Sequence, residues 1–217
     1  MRNILAPGSD RFDTESIHNL SGAVFAFAMT LLILSLVVPP VPKGAPEAVL
    51  AAALRDLWPH VLTYFISFGL IASYWVMHRR IFTFIRVADR TFLWMNLYFL
   101  MFIAFMPFAA ELMGSYPRYR VALLAYAGTA LVTLLLQHTV WAYAVGRGRL
   151  VDPDLDPRWI AHVTMRTRGA IALVLVCIGV SYFDPLVSLA TLILMPVLGM
   201  LPLRIAGPAP VSGEPST

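Results

Sequence analysis

The sequence carries little charge for its length. Of its 217 residues, 13% are charged and 59% are hydrophobic, and the mean hydropathy is +0.75. A soluble domain has about 25% charged residues, so this many apolar side chains indicate that lipid is part of the solvent. The only cysteine, Cys177, excludes a disulfide framework and a site with several cysteine ligands.

The longest apolar stretches contain no Asp, Glu, Lys or Arg. A proton-coupled carrier usually keeps an ionisable residue at membrane depth as its relay. The five histidines never occur at the i, i+4 spacing that places two ligands on one helix face, and no zinc-protease, hydrolase or phosphate-loop motif is present. The sequence therefore predicts no catalytic residues, no metal site and no cofactor.

Uncharged stretches predict an all-α protein that crosses the membrane six times, since roughly 20 helical residues span a hydrocarbon core of about 30 Å. The stretches are Leu20–Val38, Val61–Met77, Thr91–Ala110, Val121–Val145, Gly169–Phe183 and Pro185–Leu203. The fifth is the shortest: it either spans with Arg166 and Arg168 snorkelling or forms a re-entrant hairpin with the sixth. Strands are not expected, because no alternating pattern occurs and an open sheet edge cannot face lipid.

The basic residues predict the orientation. Twelve of the sixteen Lys and Arg residues fall in the N-terminal segment, the second and fourth connections and the C-terminal tail. Cytoplasmic loops are rich in Lys and Arg, so both termini are expected in the cytoplasm and the protein in the cell membrane. The division is a cytoplasmic segment at 1–16, a six-helix transmembrane domain at 17–205 and a disordered cytoplasmic tail at 206–217. The pI of about 9.5 then reflects topology and contact with lipid, and no nucleic-acid partner is expected.

One face of the first predicted helix carries large apolar side chains at i, i+4 and i+7 spacing. They are Leu20, Val24, Phe27, Leu31, Leu34 and Val38. Two interpretations remain open: a packed or lipid-facing helix, and a symmetric pore in which apolar rings form a constriction that resists water. The spacing alone does not choose between them.

Three segments resemble the bacterial branch of the transmembrane protein 175 family of potassium channels. LSGAVFAFAMTLL at 20–32 is similar to the family's first-helix signature, and SF at 67–68 with YWVMHR at 74–79 resembles its second span. LWMNLYFL at 93–100 with MPF at 106–108 resembles its third span. The match covers about the first 115 residues in order, and the last three spans match only in apolar character.

The resemblance implies a potassium-permeable ion channel, a homo-tetramer of six-helix subunits whose first helices line a central pore in the bilayer, with the permeating K⁺ as its only bound ion. It assigns the filter to Phe27, Leu31 and Leu34, with Thr30 beside them. It also implies a polar brace behind the pore helix, formed by Ser21, His78 and Asn96, with Trp75 counted among its members. Four positions depart from the family pattern: Ser16, Leu20, Gly22 and Phe27 replace its arginine, phenylalanine, aspartate and isoleucine.

Other functions are compatible with the sequence. A small-molecule or lipid transporter would show saturable flux without unitary currents. A non-conducting membrane scaffold would pass no ions. An intramembrane enzyme is the least supported, because paired catalytic groups are missing.

Overall fold

The computed structural model describes residues 11–146, 150–151 and 155–196 and shows an α-helical chain. Seven α-helices lie in these ranges: α1 (Thr14–Leu31), α2 (Glu47–Asp56), α3 (Trp58–Thr83), α4 (Arg90–Ser115), α5 (Arg120–Gly146), α6 (Pro157–Val180) and α7 (Pro185–Thr191). A 3₁₀ turn, Leu32–Ser35, extends α1. Helix α4 lies centrally and contacts α1, α3 and α5, while α5 contacts α6.

Five helices are long and apolar enough to cross a membrane: α1 with its 3₁₀ turn, α3, α4, α5 and α6. This confirms the first five predicted spans and shows a multi-pass membrane protein. The described part of the sixth stretch is a short apolar helix, Pro185–Pro196. The rest of that stretch, and the predicted tail at 206–217, lie outside the described residues.

Helix α6 decides between the two interpretations of the fifth stretch in favour of a span with Arg166 and Arg168 snorkelling. It is one continuous helix of 24 residues, so the re-entrant interpretation is wrong and the preceding connection is shorter than expected. Asp156 caps its first turn by accepting the backbone N–H of Arg158, and Pro157 stands at the start, where a missing N–H costs nothing. The charges of Arg166 and Arg168 interrupted the apolar pattern but not the helix.

Two short strands lie outside the predicted spans, for which no strands were expected. Arg11–Phe12 (β1) pairs antiparallel with Ala88–Asp89 (β2), which precedes α4. The expectation of no strands followed from the rules for lipid, and this pair precedes α1 and joins α3 to α4, outside the spans. A bridge between Ile85 and Val151 ties the same connection to the one before α6. The N-terminal segment and the second and fourth connections therefore meet at one end of the bundle, as their shared basic character predicted.

Asp13 starts α1. Its carboxylate accepts the backbone N–H groups of Glu15 and Ser16 and the Ser16 hydroxyl, the last at 2.7 Å. These hydrogen bonds, that of the hydroxyl first, lower the pKa of the Asp13 carboxyl. Because Asp13 follows β1 directly, the ladder and the cap together fix where α1 begins.

Candidate functional site

Helix α1 has one buried face, which packs against α3 and α4. Its buried residues are Ile17, Ser21, Phe25 and Ala28, and Leu32 continues them into the 3₁₀ turn. Phe25 is 1% exposed, whereas Phe27 is 65% exposed. The two phenylalanines, two residues apart, therefore have opposite environments, which the apolar rhythm of the sequence could not predict.

The filter positions lie on the outward surface of α1. Leu34 is 69% exposed, Leu31 is half-buried, and Leu20 extends the same stripe toward the start of the helix. Val24, which was expected in this stripe, is half-buried and packs against the core. The outward apolar stripe thus consists of Leu20, Phe27, Leu31 and Leu34.

A second exposed surface of α1 carries small side chains. Ala23, Ala26 and Thr30 are exposed and lie opposite the buried face. The Thr30 hydroxyl donates to the Phe27 carbonyl at 2.8 Å, so this polar group is satisfied within the helix. We call this surface the small-residue flank. The stripe and the flank together cover the outward half of α1.

The 3₁₀ turn sets the relation between the last two filter positions. In a 3₁₀-helix the side chains at i and i+3 eclipse, since a turn takes three residues. Leu31, at the end of α1, and Leu34, within the turn, are three residues apart. Their side chains therefore project in nearly the same direction from successive levels of the helix.

Behind the stripe, three polar side chains form a chain of hydrogen bonds across three helices. Nε2 of His78 on α3 lies 2.9 Å from Oδ1 of Asn96 on α4. Nδ2 of Asn96 donates to Oγ of Ser21 on α1 at 3.1 Å. Ser21 is 0% exposed, as is Asn96, and His78 is 3% exposed. We call this set the polar chain; it contains three of the four residues assigned to the brace.

The Ser21 hydroxyl, at one end of the polar chain, determines which atoms donate and which accept in its hydrogen bonds. The Ser21 hydroxyl donates its proton to the Ile17 carbonyl at 2.8 Å, so its oxygen can only accept from Asn96. Asn96 must then turn its NH₂ group to Ser21 and its oxygen to His78. Nε2 of His78 consequently carries a proton and donates, so all three side chains take part in the chain of hydrogen bonds.

Aromatic rings enclose the His78 imidazole. Phe82 stacks on it at 4.4 Å between centroids, Phe99 lies parallel to it at 5.5 Å, and Phe25 tilts against it at 5.5 Å. The sequence analysis missed these three residues. A signal was present, because each phenylalanine follows a member of the polar chain by three or four residues and so shares its helix face.

The remaining assigned positions lie apart from the polar chain. Trp75 is half-buried against the core, and the Arg79 guanidinium lies 5.6 Å from its ring centroid. Trp75 makes no hydrogen bond to the polar chain among the described residues. At Gly22, where the family has aspartate, an added Cβ would meet nothing within 4 Å. Space for a side chain is thus present at Gly22, although the charge is not.

Comparison with known proteins gives consistent matches. The model of a family described as endosomal/lysosomal potassium channel TMEM175 matches residues 16–107, which contain the stripe and the polar chain. A potassium channel of Chamaesiphon minutus is 33% identical over 178 residues, covering 81% of this chain and 87% of that protein. One of Streptomyces collinus is 32% identical over 148 residues, covering 66% and 70%. The crystal structure of a lysosomal potassium-selective channel TMEM175 homolog from Chamaesiphon minutus superposes with a TM-score of 0.75 at 29% identity, covering 86% of this chain and 95% of that one.

Proposed function

This chain belongs to the TMEM175 family of potassium channels, and we propose that it is a potassium-permeable ion channel whose pore is lined by the outward stripe of α1. The observation that carries the proposal is the exposure of Phe27 and Leu34 at the family's filter positions. A side chain can line a pore only if its own subunit leaves it uncovered. From Leu20 to Ser35 the helix carries no charged side chain, so an ion that passes along the stripe would meet apolar side chains.

We propose a homo-tetramer of six-helix subunits. One subunit supplies one wall, and copies arranged with cyclic symmetry enclose a central pore. The two exposed surfaces of α1 fit this arrangement, because a pore and a neighbouring subunit require one surface each. The small-residue flank allows close approach of another helix, as small residues do at helix interfaces in membranes.

The proposed filter works through side chains. Residues Thr14–Ser35 are helical throughout, so their backbone carbonyls accept helical hydrogen bonds and form no carbonyl-lined filter loop. An apolar ring resists hydrated ions, and an ion that sheds its water receives no replacement ligand. K⁺ loses water at lower cost than Na⁺, so such a ring favours K⁺. Phe27, bulkier than the family's isoleucine, narrows the resting pore and lowers its basal conductance.

The polar chain is proposed to hold α1 at a fixed rotation. Its hydrogen bonds join the back of α1 to α3 and α4, and a rotation of α1 would break them. An unpaired buried polar group costs about 1–3 kcal/mol, which opposes such a rotation. The filter side chains therefore keep their direction toward the pore.

We further propose that the protein lies in the cell membrane with both termini in the cytoplasm. The support is the meeting of the basic N-terminal segment with the second and fourth connections at one end of the bundle. The proposed activity requires no catalytic group, and no cofactor other than the permeating K⁺.

The decisive experiment is single-channel recording of the purified protein in a planar bilayer with K⁺ and Na⁺ on opposite sides. We expect unitary currents with a reversal potential displaced toward that of K⁺. A saturable flux without unitary currents would indicate a transporter instead. Absence of any ion flux from a correctly folded oligomer would indicate a non-conducting scaffold.

A further inference from the structure

Helix α2 is an amphipathic segment that no part of the proposed pore uses. Its apolar side chains Val49, Leu50 and Leu54 are 45%, 43% and 52% exposed, and none of its ten residues is buried. The charged residues Glu47, Arg55 and Asp56 lie on the other half of the helix circumference. An exposed apolar face of this kind requires a partner.

The position of α2 in the chain restricts that partner. It lies between α1 and α3, which both cross the membrane, so it stays near the membrane face opposite the N-terminus. Ten residues are about 15 Å of helix, too short to cross the bilayer. Helix α2 therefore lies where hydrocarbon meets water.

The apolar face of α2 is the one turned toward the long apolar helices of its own subunit. Ala53 and Leu57 belong to the same face as Val49 and Leu50, and they alone between positions 47 and 57 are half-buried against the subunit. The apolar surface continues into α3 through Trp58, which is 46% exposed, and Phe65, which is 66% exposed. Tryptophan is typical of the membrane–water boundary.

The junction with α3 allows α2 to leave the axis of α3. Only Leu57 separates the two helices, and Pro59 has no N–H to bond the Arg55 carbonyl. The N–H of Leu57 donates to the carbonyl of Leu54, three residues earlier, at 3.3 Å. An α-helical hydrogen bond would join residues four apart, so the regular hydrogen-bond pattern is interrupted there. Such interruptions are where helices kink.

We propose that α2 is an interfacial helix whose Val49–Leu50–Leu54 face inserts among lipid head groups. It carries one basic and two acidic side chains, so the binding depends on apolar insertion and needs no anionic lipid. The helix then anchors the connection that leaves the pore helix α1. This inference holds for any membrane-embedded form of the chain, whether or not it conducts K⁺.

Fluorescence from two matched positions tests the proposal. Leu50→Cys and Ala52→Cys, both exposed helical positions on opposite faces, are made in a Cys177→Ser background and labelled with an environment-sensitive dye. The full chain is reconstituted in phosphatidylcholine vesicles, with Leu54→Cys as a second probe on the apolar face. We expect blue-shifted emission at 50 and 54 that lipids brominated near the head group quench, and quenching of the probe at 52 by aqueous iodide.

Two results would overturn the proposal. Equal iodide quenching at 50, 52 and 54 would mean that α2 projects into water. Blue-shifted emission at 50 and 54 that neither quencher affects would mean that protein covers the face, as a second copy of the chain would do. Neither result bears on K⁺ permeation, which bilayer recording of the same variants measures separately.

Discussion

Ser21 on α1 accepts a hydrogen bond from the side-chain amide of Asn96 on α4 at 3.1 Å, and neither side chain is exposed. This contact ties the buried face of α1 to the central helix of the bundle, α4. Because the Ser21 proton is engaged with the Ile17 carbonyl, the amide of Asn96 has one orientation that satisfies both neighbours. The predictions below start from this contact and from the surface of α1 that faces away from it.

Asn96→Leu should destabilise the protein strongly. The substitution leaves Nε2 of His78 and the hydroxyl oxygen of Ser21 without their partner, at about 1–3 kcal/mol for each unpaired group. The recovery of intact oligomer and the midpoint of thermal unfolding in detergent measure the effect. Asn19→Leu is the control, because Asn19 is exposed near the start of α1 and lies outside the polar chain. Equal unfolding midpoints for the two variants would contradict a stabilising role of the polar chain.

Phe27→Ala should raise the unitary conductance and lower the preference for K⁺ over Na⁺, because a smaller ring widens and wets the constriction. Phe65→Ala is the matched control, since Phe65 is 66% exposed on α3, close to the 65% of Phe27. Reversal potentials and single-channel amplitudes of both variants provide the measurement. If the Phe27 variant assembles normally and permeates like the parent, Phe27 does not line the pore.

Phe25 is unsuited as a control for Phe27. Phe25 is 1% exposed and packs against His78 and Phe99. Truncating such a residue to alanine costs about 3–5 kcal/mol of stability. A loss of current in Phe25→Ala would therefore report unfolding rather than a change in the pore.

Ala26→Trp should prevent assembly while leaving the subunit folded. Ala26 lies in the centre of the small-residue flank and is exposed in the single subunit, so only a neighbouring copy would meet the indole. Light scattering in mild detergent should show a tetramer for the parent and smaller species for the variant. Ala172→Trp, an exposed alanine on α6, should stay tetrameric. If the Ala26→Trp protein is still a tetramer, the small-residue flank does not lie in the interface between subunits.

Cysteine labelling of intact cells should establish the orientation. In a Cys177→Ser background, an impermeant maleimide added outside should label Ala51→Cys on α2 and leave Thr83→Cys unlabelled until the cells are opened. Both positions are exposed; Ala51 lies on α2, before the start of α3, and Thr83 is the last residue of α3. The reverse pattern would invert the assignment of the cytoplasmic side. Asp152, at the centre of the fourth connection, is a further position for such labelling, and it lies outside the described residues.

The sequence predicted where the membrane helices lie better than it predicted which side of each helix is buried. Uncharged stretches located five membrane helices, because lipid excludes charge more strictly than a protein core does. The start of α6 was missed since Arg166 and Arg168 can keep their charges in water while their backbone stays helical. Helix α2 was missed because it is too short to give the signal of a span.

The site was predictable only in part. The spacing of Phe27, Leu31 and Leu34 indicated one face of α1, but the side packed against α3 and α4 could be read only from the tertiary structure. The contact of Ser21 with Asn96 joins residues 75 positions apart, which no local periodicity reveals. The resemblance to the family predicted that these polar residues lie together, whereas the phenylalanines around His78 share their helix faces by spacing but are shown to enclose its ring only by the packing.

The 3₁₀ turn at Leu32–Ser35 winds the end of α1 more tightly than an α-helix would. A 3₁₀ step turns about 120° and an α step about 100°, so three steps from Leu31 to Leu34 differ by about 60° between the two forms. Rewinding this single turn into α-helix would swing the Leu34 side chain aside by that angle. The polar chain, three helical turns earlier at Ser21, would stay in place. In the proposed pore, local rewinding would therefore change the aperture at Leu34 without displacing the surrounding helices.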